Sequence, residues 1–412
     1  MDHEPKRITF FLPHFPEGGQ EQVTLLLMTG LAERGHHVEL LLERREGAYL
    51  ARVPVMIPVR ELQRRSRWSG YRRFLPGWPR EAFRHLRGAL GLGPRSIPLH
   101  RLIGLIDYLE SSRPDILISA HDRAPILALW AAAIARHRVA TMIVEHSLFS
   151  YNLAAARSGS RSYAIMQQRR ALMRRLYPDA DALVAVSQAA AIDLADCLAL
   201  PRDTVQTIYN PVVSASLSTR AQEPVHDSWF AHDAPPVILA AARLAPEKAL
   251  NILIDAFSRL LSEGHNIHLA ILGEGPEREG LNRQIAELAL DSRVRMPGWV
   301  DNPYAWMRHS ALFVSSSAFE GLSNTLIEAM ACGCPVVSSD CPGGPREILD
   351  DGAFGRLVPV GDAAALAEAM AHTLASPPSP ERLRTRAADF SVEHSVDTYE
   401  AKIQRICTEL RP

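Results

Sequence analysis

Two acids eight positions apart, Glu320 and Glu328, and two cations five apart, Arg243 and Lys248, are the side chains of this 412-residue sequence best spaced for chemistry. Carboxylates accept hydrogen bonds from the vicinal hydroxyls of a sugar, and paired cations hold the oxygens of a diphosphate. Between the acids, Gly321, Leu322, Ser323, Asn324 and Thr325 would present backbone amides and hydroxyls at a helix start, a setting suited to phosphate and sugar oxygens. With a helix beginning near Ser323, Glu328 lies within it and Glu320 in the preceding loop, so the pair addresses different parts of one ligand. Spacing alone leaves plainer readings open: a solvated helix with two unrelated acids, and a loop with a surface pair of cations.

Near the start, Gly18-Gly19 lets backbone N–H groups approach a phosphate at a helix N-terminus, although a plain tight turn explains it equally well and it is not the spaced G-x-G-x-x-G of dinucleotide enzymes. Asp179-Ala180-Asp181 has a metal-binding spacing, but it directly precedes a strand, where a turn accounts for it. Cys332, Cys334 and Cys341 are too tightly spaced for zinc and lack an evident fourth ligand. With Cys197 and Cys407 they read as reduced thiols used as small hydrophobes.

The elements that position these residues follow from periodicity. KRITFFLPHF, a Gly-rich turn, VTLLLMTGLAERG and HHVELLL make a strand–helix–strand unit, and the pattern recurs through DILISA, PILALWAAAIARH, ATMIVEH and ALVAVS. A second run begins at PVILAAA and continues through IHLAILG, VRMPG, ALFVSS and PVVSS. Repeated βαβ units imply an α/β fold with parallel sheets covered by helices. The expected organisation is a Rossmann-like domain over 1–212, a Pro-flanked linker over 213–236, a second Rossmann-like domain over 237–388, and a closing helical segment over 389–412 that could pack on either domain.

Hydrophobic residues at 47 % and charged residues at 22 % exclude disordered and fibrous classes, and no stretch is apolar enough to span a membrane. The first residues show no secretory or transit signal, so a cytoplasmic location is expected. The net charge of −1 hides an asymmetry: residues through Asn210 hold 28 Lys and Arg against 20 Asp and Glu, and the rest 17 against 26. Much of the basic surplus lies between Arg60 and Arg101, with eleven arginines and two acids interleaved with aromatics. Arg64, Arg65, Arg67, Trp68, Arg72, Arg73 and Trp78 suit an anionic bilayer surface or a lipid-linked acceptor. A merely solvated insertion remains open; no recognition helix or aromatic nucleic-acid motif accompanies the segment, so nucleic acid is not an expected partner.

Six short motifs occur in a telling order: GGQEQ, EHS after a mid-domain strand, Arg243 then Lys248, GEGP, PGWV, and Glu320-x7-Glu328 followed by CGCPVV. Over nearly the whole chain this order resembles the retaining family-4 glycosyltransferases of the GT-B fold, and DCPGGPREIL is similar to members that build bacterial polysaccharides or lipid-linked oligosaccharides. The resemblance implies two Rossmann-like domains facing across a cleft, the N-terminal one binding the acceptor and the C-terminal one the donor, with a nucleotide-diphosphate sugar as donor, a saccharide or lipid-linked hydroxyl as acceptor, and neither cofactor nor metal. Uridine diphosphate with a hexose or N-acetylhexosamine is the first expectation for the donor, and guanosine diphosphate-mannose the second.

Carried onto this sequence, the resemblance makes Arg243 and Lys248 the clamp on the donor diphosphate, Glu320 the partner of the transferred sugar, and Glu328 that of the ribose. Gly18 and Gly19 would face the donor; Gly273, Gly275, Pro276, Gly298 and Val300 would line the nucleotide, with Gly321, Leu322, Ser323 and Asn324 beside them. His146 would face the reacting centre, with His121 on the acceptor side. Two departures cloud donor identity: Gln22 stands where many members have Arg, and Ser323 where Pro or Gly is common. The competing classes are a GT-B phosphorylase or epimerase, revealed by free sugar phosphate or by donor conversion without acceptor, and a non-catalytic nucleotide-sugar or membrane-surface binder.

Overall fold

The computed structural model describes residues 4–63, 99–121, 123–156 and 158–409. They form two compact units, one containing the chain up to Tyr209 together with the residues from Ser395 on, the other Asn210–His394.

The first unit is built on seven strands: β1 (Arg7–Leu12), β2 (His37–Leu42), β3 (Val59–Glu61), β4 (Ile116–Ala120), β5 (Ala140–Glu145), β6 (Ala182–Ala185) and β7 (Val205–Thr207). Their order is β3-β2-β1-β4-β5-β6-β7, with every neighbouring pair parallel. A parallel sheet is covered on both faces, which is why β4 reads ILISA and why every residue of β4 and β5 is buried. The helix Ala124–Ile134 behind them is apolar on nearly every side, and nine of its eleven residues are buried. Pro125 sits in its first turn, where a missing N–H leaves no helical bond unmade.

The second unit holds β8 (Val237–Ala241), β9 (His268–Leu272), β10 (Val294–Gly298), β11 (Leu312–Ser315), β12 (Val336–Ser339) and β13 (Arg356–Val358), all parallel, in the order β10-β9-β8-β11-β12-β13. The helix Leu250–Ser262 turns Leu250, Leu253, Ile254, Phe257 and Leu260 toward this sheet at helical spacing, and all five are buried. Each such side chain contributes about 2 kcal/mol of transfer free energy. Pro297 is tolerated in β10 because that strand is an edge, and the pairing with β9 shifts register between Arg295 and Gly298.

Residues 213–236, read above as a linker, group with the second unit and carry structure of their own. They include the helix Ala215–Arg220, whose Arg220 Nη2 donates to the Asp301 carbonyl at 2.6 Å, and Trp229, stacked between His268 and the Arg295 guanidinium at 4.1 Å from each. The final helix, Val392–Glu409, groups with the first unit from Ser395 on. There Glu400 accepts from Arg34 Nη1 at 2.7 Å and lies 3.2 Å from His36 Nε2. The Lys6 backbone N–H donates to His36 Nδ1 at 3.1 Å, which leaves Nε2 as the nitrogen that donates to Glu400 when the ring is neutral.

Asp181 accepts from the Thr141 N–H at 2.8 Å and pairs with Arg138, so this acid of the Asp-x-Asp pair clasps the entry to β5. Burial pushes the Cys332 and Cys341 thiols up to about 12 and Cys334 higher still, consistent with the small-hydrophobe reading. Arg64, Arg65, Arg67, Trp68, Arg72, Arg73 and Trp78 lie outside the described residues. Among the described residues no helix is long and apolar enough to cross a membrane.

Candidate functional site

In the second unit the chain leaves β8 at Ala241, passes Arg243, makes the short turn Pro246–Lys248 and enters the helix at Leu250. Lys248 Nζ donates to Glu320 Oε1 at 2.6 Å, and Ser317 Oγ donates to the same oxygen at 2.7 Å. Cation and acid, 72 positions apart in sequence, are thus neighbours at the carboxyl end of the sheet, where open α/β folds bind their ligands. Two further bonds staple the turn to the loop after β11: Ser316 Oγ donates to the Lys248 carbonyl at 2.9 Å, and the Ala318 N–H to the Glu247 carbonyl at 2.8 Å. Arg243 keeps its side chain 69 % exposed and pairs with Glu247, leaving most of the guanidinium open to an incoming anion.

The helix begins at Asn324, as the spacing of the two acids requires, and Glu320 lies in the loop before it. Glu328 points into the interior and is 6 % exposed. Burial pushes its carboxyl up to about 7, opposed by Tyr304, whose hydroxyl lies 3.5 Å from Oε1. Leu322 and Ser323 are buried, and Asn324 Oδ1 accepts from Asn210 Nδ2 at 2.9 Å.

Glycines let the loops approach this closely. Gly273 adopts φ +124°, and a Cβ there would lie 2.0 Å from the Ala242 carbonyl; at Gly275 it would lie 2.3 Å from that of Leu244. The Gly273–Pro276 loop therefore packs directly against the segment carrying Arg243, and the Gly273 N–H donates to the Gly298 carbonyl at 2.8 Å, which brings Gly298 and Val300 alongside. Gly343, at φ +123°, touches the Glu320 backbone so closely that a Cβ would fall 1.8 Å from its carbonyl oxygen. Gly343→Ala is expected to cost about 2 kcal/mol or more and to displace Glu320. A denaturant midpoint equal to the parent's would refute this.

The first unit gathers a separate group. Gly18 precedes the helix Gly19–Glu33, and Glu21 in its first turn is buried, which raises its carboxyl pKa. His146 follows β5, and His121 follows β4 in a left-handed conformation, φ 68°. The two rings stack with centroids 5.5 Å apart. Burial, and secondarily the neighbouring His121 ring, push His146 down to about 3, so its imidazole is neutral at physiological pH. Its Nδ1 is buried and has no hydrogen-bond partner among the described residues. Beside it Glu145 accepts from the Tyr177 hydroxyl at 2.6 Å.

Each unit thus collects its own predicted residues: Arg243, Lys248, Glu320 and Glu328 with the glycine loops in one, His121 and His146 with Gly18-Gly19 in the other. Sequence reasoning missed Ser316, Ser317, Tyr304, Glu145 and Glu43. The signal for the serines was the run Ser315–Ser317 just before Glu320, and for Glu43 and Glu145 an acid at the end of an apolar strand.

Comparison with known proteins bears on both units. Residues 17–215 match the model of Glycosyltransferase Family 4, and residues 222–390 that of Glycosyl transferases group 1. The chain belongs to this glycosyltransferase family. Among the relatives of this family-4 chain is the N-acetylgalactosamine-N,N'-diacetylbacillosaminyl-diphospho-undecaprenol 4-alpha-N-acetylgalactosaminyltransferase of Campylobacter jejuni, 35 % identical over 46 % of this chain and 49 % of the relative. Another is a lipopolysaccharide core biosynthesis glycosyltransferase of Rhizobium meliloti, 34 % identical over 40 % and 48 %. The chain spans about half the length of these curated relatives. Among solved structures, Anabaena HepE in complex with UDP and glucose is similar over 95 % of this chain and 98 % of its own, with a TM-score of 0.72 at 20 % identity. The family-4 chain has the GT-B fold.

Proposed function

We infer that the protein transfers a sugar from a nucleotide-diphosphate donor to a hydroxyl acceptor, with retention at the anomeric carbon, in the assembly of a bacterial lipopolysaccharide or related glycan. The observation that carries this reading is the Lys248–Glu320 pair with Arg243 open beside it: a cation pair and a carboxylate at one strand edge suit a diphosphate joined to a sugar. UDP is the expected nucleotide, carrying a hexose or N-acetylhexosamine, with GDP-mannose second; support comes from the UDP and glucose named for the Anabaena protein. A lipid-linked saccharide is the expected acceptor, supported by the diphospho-undecaprenol in the name of the Campylobacter relative.

In this reading Arg243 and Lys248 meet the charge that develops on the leaving diphosphate, without recourse to a metal or cofactor. Glu320, held by Lys248 and Ser317, accepts from hydroxyls of the transferred sugar, and Glu328 from those of the ribose. Attack from the leaving-group face is favoured, with the departing diphosphate taking the acceptor's proton, because a covalent intermediate would need a nucleophile beneath the sugar and no residue pattern in the sequence supplies one. A neutral His146 serves as a hydrogen-bonding group at the reacting centre rather than as an acid. The expected location is the cytoplasm, at the inner face of the membrane where a lipid-linked acceptor is presented; binding of the purified protein to anionic vesicles and not to neutral ones would support it.

A panel of nucleoside diphosphates and their sugars tests the donor assignment by thermal shift. A ligand at a hundred times its dissociation constant stabilises the folded protein by about 2.7 kcal/mol. One nucleotide should raise the melting temperature in the parent and fail to do so in Arg243→Ala. No shift with any of them at millimolar concentration would overturn the reading.

A further inference from the structure

Resting on the reading of the first unit as the acceptor domain, a second charged cluster there has no role in the account above. Glu43 follows β2 and Arg123 follows β4, with β1 between those strands in the sheet. Chain order reverses between β1 and β4, and open α/β sheets take ligands beyond the carboxyl ends of their strands at such a switch point. The Glu43 side chain is fully enclosed, and two guanidiniums converge on its Oε2: Arg101 in direct contact, and Arg123 with Nη2 at 3.5 Å.

Two cations on one carboxylate leave a surplus positive charge. Burial, and then the charge of Arg123, hold Arg101 below its ordinary pKa. Arg123 is 44 % exposed, so the fork not used by Glu43 is accessible. Around the same strand ends four buried polar atoms have no hydrogen-bond partner among the described residues: His14 Nδ1 after β1, Glu43 Oε1, Arg101 Nε, and His146 Nδ1 after β5. Folded proteins leave few such atoms unpaired, and this concentration marks a place where a bound molecule completes the set.

We propose that Arg123, backed by Arg101 and oriented by Glu43, binds a phosphoryl oxyanion of the acceptor. The guanidinium fork matches two oxygens of a phosphate or diphosphate, and the surplus charge is of the right sign to meet it. Glu43 is a positioning residue: it aligns the fork and prevents two adjacent guanidiniums from repelling one another apart.

Inorganic pyrophosphate is the first probe, titrated calorimetrically into the full chain. Because the donor clamp would bind it as well, the titration is made in the double variant Arg243→Ala, Lys248→Ala. Pyrophosphate should bind there, weaken at least tenfold on adding Arg123→Gln, and partly recover with Arg123→Lys. Absence of binding in the double variant, or binding that survives Arg123→Gln, would overturn the proposal. Arg123 is exposed enough that its variants should keep the parent's melting temperature; were Arg123→Gln to melt early, the comparison moves to Arg123→Lys, where unchanged affinity would equally overturn it. A short isoprenyl diphosphate and a sugar 1-phosphate distinguish the sources: the one whose binding depends on Arg123 identifies a lipid-linked or a sugar-borne phosphate, and dependence of neither overturns the proposal. UDP binding to the parent chain, measured in parallel, separates the two readings. Its presence with no effect of Arg123 refutes this subsite alone, whereas its absence removes the reading on which the subsite rests.

Discussion

Lys248→Ala is expected to lower kcat/KM for the donor by about a thousandfold, the size of effect seen when one group aimed at a developing negative charge is removed. Two losses combine. The leaving diphosphate loses a cation, and Glu320, whose side chain is only 11 % exposed, loses the partner that holds its Oε1. An acid freed of its cation in a partly desolvated site is costly, so the melting temperature should fall as well, corresponding to about 2 kcal/mol. Arg243→Ala supplies the contrast: its guanidinium is exposed and pairs with the neighbouring Glu247, so turnover should fall while stability holds. Ser317→Ala should lie between, because Glu320 keeps Lys248 but loses a 2.7 Å hydrogen bond. Donor kcat/KM in Lys248→Ala within tenfold of the parent's would sink the assignment of this pair.

Glu328→Gln should move stability and donor binding in opposite directions. The folded-state pKa of Glu328 is raised to about 7 from 4.5. A group raised in this way contributes stability below its unfolded pKa and loses that contribution as pH rises through the folded value. Between pH 4.5 and 7 the protein therefore loses up to about 3 kcal/mol from this one carboxyl, and Glu328→Gln, which is neutral throughout, should be the more stable protein at pH 8 by a similar amount and nearly equal to the parent at pH 4.5. Donor binding runs the other way. Ribose hydroxyls donate to a carboxylate, which favours the charged form, so the affinity of the parent for a nucleotide sugar should fall by up to about tenfold per pH unit below 7. Glu328→Gln should bind weakly with little dependence on pH between 5.5 and 8. His146, pushed down to about 3, does not titrate in that window and leaves the effect attributable to Glu328. Equal melting temperatures of parent and variant at pH 8, or a parent affinity independent of pH, would refute the assignment.

The strands that build the two sheets were legible because burial on both faces demands unbroken apolar runs: DILISA and PVILAAA announce β4 and β8 with no knowledge of their neighbours. The edge strands β3, β7 and β13 were not, since three residues at a sheet margin carry too little pattern to separate from a loop. The stretch 213–236 shows the converse error. Its prolines and polar residues read as a linker, but Trp229 found a stacking partner in His268, far away in sequence, and the segment folded into the second unit. Glu320 and Glu328 were separable by spacing because a helix start between them assigns one to a loop and one to a buried face.

By itself the sequence determined the fold class, the order of the βαβ units and the residue types able to hold a diphosphate and a sugar, because periodicity and motif spacing are local properties of the chain. Only the tertiary structure decided which of those residues meet. Lys248 reaches Glu320 because β8 and β11 are adjacent in the sheet and Ser316 and Ser317 tie their loops together. Glu43 meets Arg123 because the strand order places the ends of β2 and β4 on either side of β1, and the helix Leu99–Ser112 before β4 adds Arg101 to the same carboxylate. Charge states follow the same rule: His146 and Glu328 are ordinary residues in the sequence, and what moves their protons is desolvation, which depends on how much protein the fold packs around each of them.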